Sequence, residues 1–283
     1  MTARLALVTL GLLITVGAAA ATTNGLSEAK IQGRQLAQQI LEQQPAENFT
    51  NTGILIVNNG EGKRSEFPAK CTLVTTATGW EISYTAEQWN QNSNEWNARW
   101  TTIKVKHSDW LPNRYEKQVW SEHGVKSNGV ASISFTMDKN GTPVMHGAVR
   151  SSATFAVTGQ EIFTPFAGSD FWIADLGLEF FHWPEQKILK EYEMRRGRSC
   201  HVLESINPNP SPNGYSRVVS WIDNETLGIV QAEAYDAKGK LLKEFYPKDF
   251  KKVKGQWELG EVEMINDQTG SRTWIKFDLK KHD

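Results

Sequence analysis

The sequence has few features that assign a function by themselves. Only two cysteines occur among its 283 residues, which excludes a disulfide-dense scaffold and a zinc site built from four cysteines. Neither sign of charge dominates, because 31 lysines and arginines oppose 32 aspartates and glutamates, whereas a protein specialised for nucleic acid carries a basic excess. The H-x-x-x-H, H-E-x-x-H, G-x-S-x-G and G-x-G-x-x-G motifs are missing, and so is a phosphate loop. The common signatures of zinc enzymes, serine hydrolases and nucleotide-binding proteins are therefore absent from the sequence.

Long apolar runs are absent after the first 21 residues. Met1 to Arg4 form a short positive start, Leu5 to Gly17 are apolar, and Ala18 to Ala21 offer small residues for cleavage. This order is typical of a secretory signal peptide. The apolar run of about 13 residues is too short for a transmembrane helix, which needs about 20. We predict that residues 1–21 are a signal peptide and that the exported chain acts as a soluble protein in the periplasm.

The two cysteines, Cys71 and Cys200, would meet an oxidising compartment after export. A disulfide between them would close a loop of roughly 130 residues and stabilise the fold by about 4–5 kcal/mol in the chain-entropy model. The alternative is a pair of buried free thiols. The sequence leaves both alternatives open, because a disulfide requires Cα atoms within bonding range.

The residues that follow predict one helix and then many strands. Ser27 to Gln44 has its apolar residues mostly on one side, and Ser27 is placed to cap the helix. Short runs of period two then alternate with turn residues such as Asn58 to Gly62. Glu87 to Asn97, rich in Asn and Gln, is predicted to be a loop at a sheet edge. The last predicted strand is Arg272 to Leu279, with alternate residues on opposite faces.

Aromatic residues are abundant, with 11 tryptophans, 6 tyrosines and 12 phenylalanines, and seven of them lie in the segment Glu161 to Trp183. Pro165, Gly168 and Gly177 interrupt this aromatic segment, so we predict irregular chain with a short helical turn near Asp175. The complete pattern predicts a mostly β (α+β) fold in one domain spanning residues 22–283. Its centre is a single large curved antiparallel sheet, packed against the N-terminal helix and the aromatic segment.

Acidic and histidine side chains give little reason to predict an enzyme. Asp170, Asp175 and Glu179 lie near tryptophans, as the acids of a glycosidase would, but helix capping and solvation explain them more simply. His182 and Asp175 supply at most two of the three or four ligands that zinc requires. We therefore predict no catalytic residue, no metal site and no cofactor.

Two further groups suit binding or ordinary surface packing. The basic run Glu193 to Arg198 fits an anionic lipid head group or a solvated hairpin tip. Four tryptophans of the first half fit a sugar-stacking platform or packing at a sheet edge: Trp89, Trp96, Trp100 and Trp110.

Five short pieces follow one another in the second half of the chain. They are Gly168-Ser169-Asp170-Phe171 with Asp175-Leu176, Ser199 to Glu204, Tyr215 to Asp223, Ala234 to Lys243, and Met264 to Trp274. In this order and behind an export signal, they resemble the LolA-like family of outer-membrane lipoprotein-sorting proteins. The family motifs lie within residues 165–280, and the first half is similar only in its layout of signal, helix and strands.

The resemblance implies an unclosed half-barrel whose open face is covered by the N-terminal helix and short lid helices. Its apolar concavity would hold the acyl chains of a lipid or lipoprotein, received from an inner-membrane transporter and passed to an outer-membrane acceptor. The resemblance implies no metal, cofactor or covalent chemistry, and we expect a monomer without a nucleic-acid partner. The residues predicted to line the cavity, or to form a lid that moves as cargo binds, are Phe163, Phe166, Phe171, Trp172, Leu176, Phe180 and Phe181.

Two other functions fit the same sequence. A lipid-sensing regulatory protein would need a related half-barrel and the same apolar cavity. A glycan-binding or glycan-active protein would instead use the tryptophan-rich surface of the first half, and an enzyme of this kind would also need two carboxylates about 5–10 Å apart.

Overall fold

The fold is known from a computed structural model that describes residues 27–45, 47–92, 95–108, 111–124, 134–137, 143–146, 148–253 and 256–279. The predicted signal peptide and Trp110 lie outside these residues. The described helices are α1 (Glu28–Leu41) and the short α2 (Ile173–Leu176), with two 3-10 turns at Gly159–Phe163 and Glu179–His182.

Fifteen described strands follow one another along the chain. They are β1 (Phe49–Asn58), β2 (Arg64–Thr76), β3 (Gly79–Asn92), β4 (Glu95–Ser108), β5 (Leu111–Gly124), β6 (Ser134–Met137), β7 (Pro143–His146), β8 (Ala148–Val157), β9 (Glu185–Arg195), β10 (Arg198–Ile206), β11 (Arg217–Asp223), β12 (Ile229–Tyr235), β13 (Leu241–Val253), β14 (Gln256–Asn266) and β15 (Arg272–Phe277).

Thirteen of these strands form one antiparallel sheet that remains unclosed. Its order is β8-β5-β4-β3-β2-β1-β15-β14-β13-β12-β11-β10-β9, and β6 pairs with β7 separately. Almost every neighbour in the sheet is also a neighbour in sequence, since hairpins connect the strands. Two pairings of described strands are exceptions: β5 pairs with β8, and β1 pairs with β15 and so joins the N-terminal and C-terminal halves of the chain. The predicted mostly β half-barrel is confirmed.

The last strand shows why the period-two pattern predicted the sheet. Thr273 and Ile275 are buried on the inner face of β15, whereas Lys276 is exposed on the outer face. Ile275 lies opposite Leu55 of β1, which is fully buried, and opposite Val262 of β14. The inner face of the strand therefore contributes directly to the core.

Helix α1 packs across β9 at the end of the sheet. Leu36, Ala37 and Ile40 are buried on the face that meets the sheet. Gly33 allows the closest approach, because a Cβ atom there would lie 2.6 Å from the backbone nitrogen of Lys187. The predicted helix is confirmed, but its predicted cap is wrong. The Ser27 side chain makes no capping hydrogen bond, and its backbone carbonyl accepts the first amides instead.

The inner face of the sheet carries two hydrophobic clusters. The first lies on β1–β5 and β13–β15 and includes Leu55, Ile103 and Val262. The second lies on β9–β12 beneath α1 and includes Leu36 and Leu203. The aromatic segment crosses between the clusters and contributes residues to both. It has the predicted irregular form, with α2 as the expected helical turn.

One sequence prediction needs correction, and one open alternative is decided. Glu87 to Asn97 is not a loop, because β3 and β4 extend through its described residues as one long hairpin. The disulfide alternative is not realised, since Cys71 and Cys200 are both free and buried. Cys71 belongs to the first cluster on β2, and Cys200 belongs to a separate small cluster on β10, with six strands of the sheet between them.

Candidate functional site

An apolar cavity of about 440 Å³ lies between the inner face of the sheet and the elements that cover it. Its walls come from the first cluster, from α2 with the two residues that follow it, and from the C-terminal end of α1. Aliphatic and aromatic side chains supply most of the lining, among them Ile40, Ile82, Phe171, Leu176, Phe245, Val262 and Ile275. Volume and composition both fall in the range typical of small-molecule sites.

The predicted aromatic residues do not all reach this cavity. Phe171 and Leu176 line it. Phe166 is only 2% exposed and packs in the first cluster, beside the apolar cavity. Phe180 packs under α1 in the second cluster. For these residues a role in ligand binding stays a prediction.

Three other rings form a separate stack at the second cluster. Trp172 lies parallel to Tyr215 with ring centroids 4.5 Å apart. Phe163 meets both rings edge-on, at 5.8 Å from Trp172 and 5.7 Å from Tyr215. Phe181 is buried beneath α1 and also borders a second opening, described below. Trp172 and Phe163 are therefore positioned to hold the aromatic segment on the sheet rather than to line the apolar cavity.

A buried lysine of the sheet binds the aromatic segment through several contacts. Lys243 of β13 is 1% exposed, and its amine donates a hydrogen bond of 2.6 Å to the backbone carbonyl of Asp170. The same amine lies 3.8 Å from Oδ2 of Asp175 and 3.4 Å from the centre of the Trp172 ring. Burial lowers the pKa of Lys243 to about 7, and the Asp175 carboxylate acts in the opposite direction. Burial likewise raises the pKa of Asp175, which accepts hydrogen bonds from the Tyr215 hydroxyl.

Further polar anchors hold the middle and the C-terminal end of the aromatic segment. The Asp170 carboxylate accepts hydrogen bonds from the hydroxyls of Ser271 and Thr273, at 2.5 and 2.8 Å. At the C-terminal end, the Gln186 amide donates to the carbonyls of Phe180 and of Trp183, at 2.9 Å in each case. Sequence reasoning missed these anchors. The acids that it singled out serve here as hydrogen-bond acceptors within the fold.

A second opening, the polar groove, has a volume of about 670 Å³. It lies between α1, residues 181–184 and the strand ends around Gly79, His107 and Leu111. It shares Leu41, Trp80 and His107 with the wall of the apolar cavity. Trp80 and His107 stack at this border, with ring centroids 3.6 Å apart and planes inclined by 21°. The polar groove and the apolar cavity are therefore adjacent, and the stacked rings of Trp80 and His107 line both.

The pKa values of the titratable groups beside the polar groove are shifted in the direction that favours the neutral forms. Burial lowers the pKa of His107 to about 4, and nearby His182 adds to this effect while Asn113 opposes it. Burial also lowers the pKa of His182. Burial raises the pKa of Glu179, whose carboxylate accepts a hydrogen bond of 2.8 Å from Tyr115. Near neutral pH both histidines are uncharged.

The shift at His107 predicts a pH dependence of stability. Its folded pKa lies below the unfolded value of 6.5, so the unfolded state binds more protons once the pH falls below 6.5. Wild type should therefore lose stability relative to His107→Phe as the pH falls from 6.5 toward 4. Urea unfolding of both proteins at about pH 7 and about pH 4.5 measures this difference. A difference independent of pH would contradict the lowered pKa.

The remaining candidates from the sequence lie elsewhere. Glu193 to Arg198 forms the tip of the β9–β10 hairpin, where Arg196 and Gly197 have positive φ. Trp100 is half-buried on β4, and the side chains of Trp89 and Trp96 lie outside the described set. Within the described residues, no group of three His, Cys, Asp or Glu side chains could hold a metal ion. No described helix is long and apolar enough to span a membrane.

Comparisons with known proteins match the second half of the sequence and nearly the whole structure. A family model described as an uncharacterized protein matches residues 151–282. No curated protein matches the sequence significantly. Among solved structures, a proposed outer membrane lipoprotein-sorting protein domain from Vibrio parahaemolyticus superposes with a TM-score of 0.61 and 18% identity. The match covers 88% of this chain and 91% of the other.

Two further structures agree with that result. A DUF1329 family protein from Desulfovibrio piger has a TM-score of 0.54 and 17% identity, over 88% of this chain and 91% of its own. A LolA superfamily protein from Nitrosomonas europaea has a TM-score of 0.50 and 14% identity, over 90% of this chain and 94% of its own. The unclosed sheet, the helix packed on it and the covering segment together give this chain the fold of LolA-superfamily proteins.

Proposed function

We propose that this protein is a periplasmic carrier that shields the acyl chains of a lipid or lipoprotein in its apolar cavity. The observation that carries the proposal is the cavity of about 440 Å³ on the inner face of the half-barrel. The similarity in fold to a proposed lipoprotein-sorting domain supports the same conclusion. In this proposal the protein is not an enzyme and needs no cofactor. It receives cargo at the inner membrane and releases it to an acceptor at the outer membrane.

The energetics of chain burial suit a carrier. Each methylene group transferred from water to an apolar site contributes about 0.8 kcal/mol, so ten buried methylenes contribute about 8 kcal/mol. Without the costs of association, that energy corresponds to a dissociation constant of about 1 μM. The costs of association weaken binding below this limit, which favours release of the chain to an acceptor. Selection by shape is expected to be weak, because the lining is mostly apolar.

Direct detection of cargo tests the proposal. The mature protein should be purified from the periplasm without detergent, and its mass measured under native conditions alongside lipid extraction of the same sample. We expect a co-purifying lipid or acylated peptide near one per chain. Stripped protein should bind a fluorescent fatty acid with a stoichiometry of one. A protein that carries no lipid and also fails to bind the fluorescent fatty acid would contradict the carrier function.

A further inference from the structure

The two most exposed large apolar side chains among the described residues lie together near the end of the β9–β10 hairpin. They are Tyr192, with 75% of its surface exposed, and Met194, with 68%. The two residues are two positions apart in β9, so their side chains lie on the same face of the strand. Single exposed apolar side chains are ordinary on a protein surface, but neighbouring ones form a patch that can bind an apolar partner.

The position of β9 explains why this pair is uncovered. β9 is the last strand of the sheet, and α1 packs across its first half, where Gln186 and Ile188 are buried. Leu189, Tyr192 and Met194 follow, and all three are exposed. Within the described residues, the cover over β9 therefore ends near Ile188.

The opposite face of the hairpin is attached to the sheet. Glu193 accepts a hydrogen bond of 2.8 Å from the indole nitrogen of Trp221, and the Arg195 guanidinium lies 4.0 Å from the centre of the same ring. Arg196 and Gly197 have positive φ, as a tight two-residue hairpin turn requires. The hairpin is therefore held in one shape on one face, and binding through the other face needs little additional ordering.

Basic residues surround the apolar pair. Residues 187–198 include five basic and two acidic side chains, and Asp223 and Glu233 offset two of the arginines through ion pairs. Arg196, at the turn itself, is exposed and forms no ion pair among the described residues. Its guanidinium lies 5.3 Å from the ring centre of Tyr246. An unpaired arginine beside exposed apolar side chains matches a surface that is anionic outside and apolar beneath.

We infer that the end of the β9–β10 hairpin docks this protein on an anionic lipid bilayer, with Tyr192 and Met194 entering the interface and Arg196 meeting lipid phosphates. Tyrosine is enriched at membrane interfaces, and methionine adapts its shape to apolar surroundings. So small a contact gives weak, reversible binding, which suits a protein that leaves one membrane for another. The inference extends the proposed function, but no residue of the hairpin lines the apolar cavity, so the two are tested separately.

Sedimentation with lipid vesicles tests this docking surface. The mature protein is mixed with vesicles of phosphatidylcholine, either alone or with about 30% phosphatidylglycerol. We expect binding to the anionic vesicles that weakens as salt is added, and little binding to phosphatidylcholine alone. The double variant Tyr192→Ser/Met194→Ser should bind the anionic vesicles about tenfold more weakly, and Arg196→Ala about fivefold more weakly.

Matched controls separate the hairpin from general effects of charge and apolarity. Phe155→Ser removes another exposed apolar side chain from the opposite edge of the sheet, and Arg114→Ala removes another exposed arginine from β5. Both controls should bind vesicles as wild type does. A polarity-sensitive dye attached to Met194→Cys should shift its emission to the blue with anionic vesicles, and both native cysteines are buried away from the label.

The outcomes distinguish the docking surface from the proposed function. Failure of wild type to bind anionic vesicles, binding that survives the double variant, or equal losses in the controls overturns the docking surface. Loss confined to the hairpin variants, with unchanged affinity for a fluorescent fatty acid, supports it. If wild type binds no fatty acid but the hairpin variants alone lose vesicle binding, the carrier function fails and the docking surface stands.

Discussion

Replacing Lys243 with methionine should destabilise the fold by about 3–5 kcal/mol, the usual cost of removing one partner from a buried ion pair. The amine is the group that satisfies the Asp170 carbonyl from within the core. Its removal would also leave the Asp175 carboxylate buried with only the Tyr215 hydroxyl and the Trp172 amide as donors. Methionine fills a similar volume, so the loss would reflect the missing charge and hydrogen bond rather than a cavity.

Urea unfolding measures this loss of stability. Two further variants show whether the loss comes from the buried ion pair. Asp175→Asn in the Lys243→Met background should recover part of the stability, because it removes the uncompensated charge. Lys276→Met is the matched control. Lys276 pairs with Glu261 at 3.0 Å on the outer face, where its side chain is 49% exposed, so its change should be within about 1 kcal/mol. A Lys243→Met loss as small as that of the control would show that the buried amine does not anchor the segment.

The same network bears on how cargo reaches the cavity. The sequence predicts a lid formed by the aromatic segment, and that lid remains a prediction. Displacing the whole segment would break the bonds of Asp170, Lys243 and Gln186 together. The border at Trp80 and His107, by contrast, already separates the apolar cavity from an open groove. We therefore expect side-chain motion at this border to admit a chain more readily than movement of the anchored segment.

Much of the fold could be predicted from the sequence, because antiparallel hairpins are local. Strands such as β15 alternate clearly, and turn residues such as Gly62 take the positive φ that their position requires. The error at Glu87 to Asn97 has a physical cause. Asn favours turns in isolation, but the long β3–β4 hairpin pairs the backbone of these residues regardless of propensity.

The candidate site was less predictable, because burial alone does not separate a core residue from a cavity wall. Phe166 and Phe171 have the same exposure of 2%, yet only Phe171 lines the apolar cavity. Lys243 was also hard to find. It follows a hairpin turn, where a lysine is normally solvated. The indication that Lys243 is buried comes from Phe245, which lies two residues along β13 and therefore on the same, inner face of the strand. Its partners lie more than sixty residues away, so their contacts depend on the whole sheet.

Filling the apolar cavity should abolish most acyl binding without unfolding the protein. Ile82 and Val262 face the cavity from β3 and β14, and tryptophan at either position would occupy space that the ligand needs. Exclusion of two methylene groups costs about 1.6 kcal/mol, or about a tenfold loss of affinity, and a larger exclusion costs more. Because the new ring enters existing space, overpacking should be milder than in a filled core.

The matched control for Ile82→Trp is Ser83→Trp, which places the same ring on the opposite face of the same strand. Affinity for a fluorescent fatty acid should fall about tenfold or more in Ile82→Trp and in Val262→Trp, and should stay near wild type in Ser83→Trp. Thermal melting verifies that all three variants are folded. Undiminished fatty-acid binding in both cavity variants would place the acyl site elsewhere, whereas equal losses in all three would indicate a general effect on the sheet. A loss confined to the inward-facing variants would connect the concave face of the half-barrel to acyl binding.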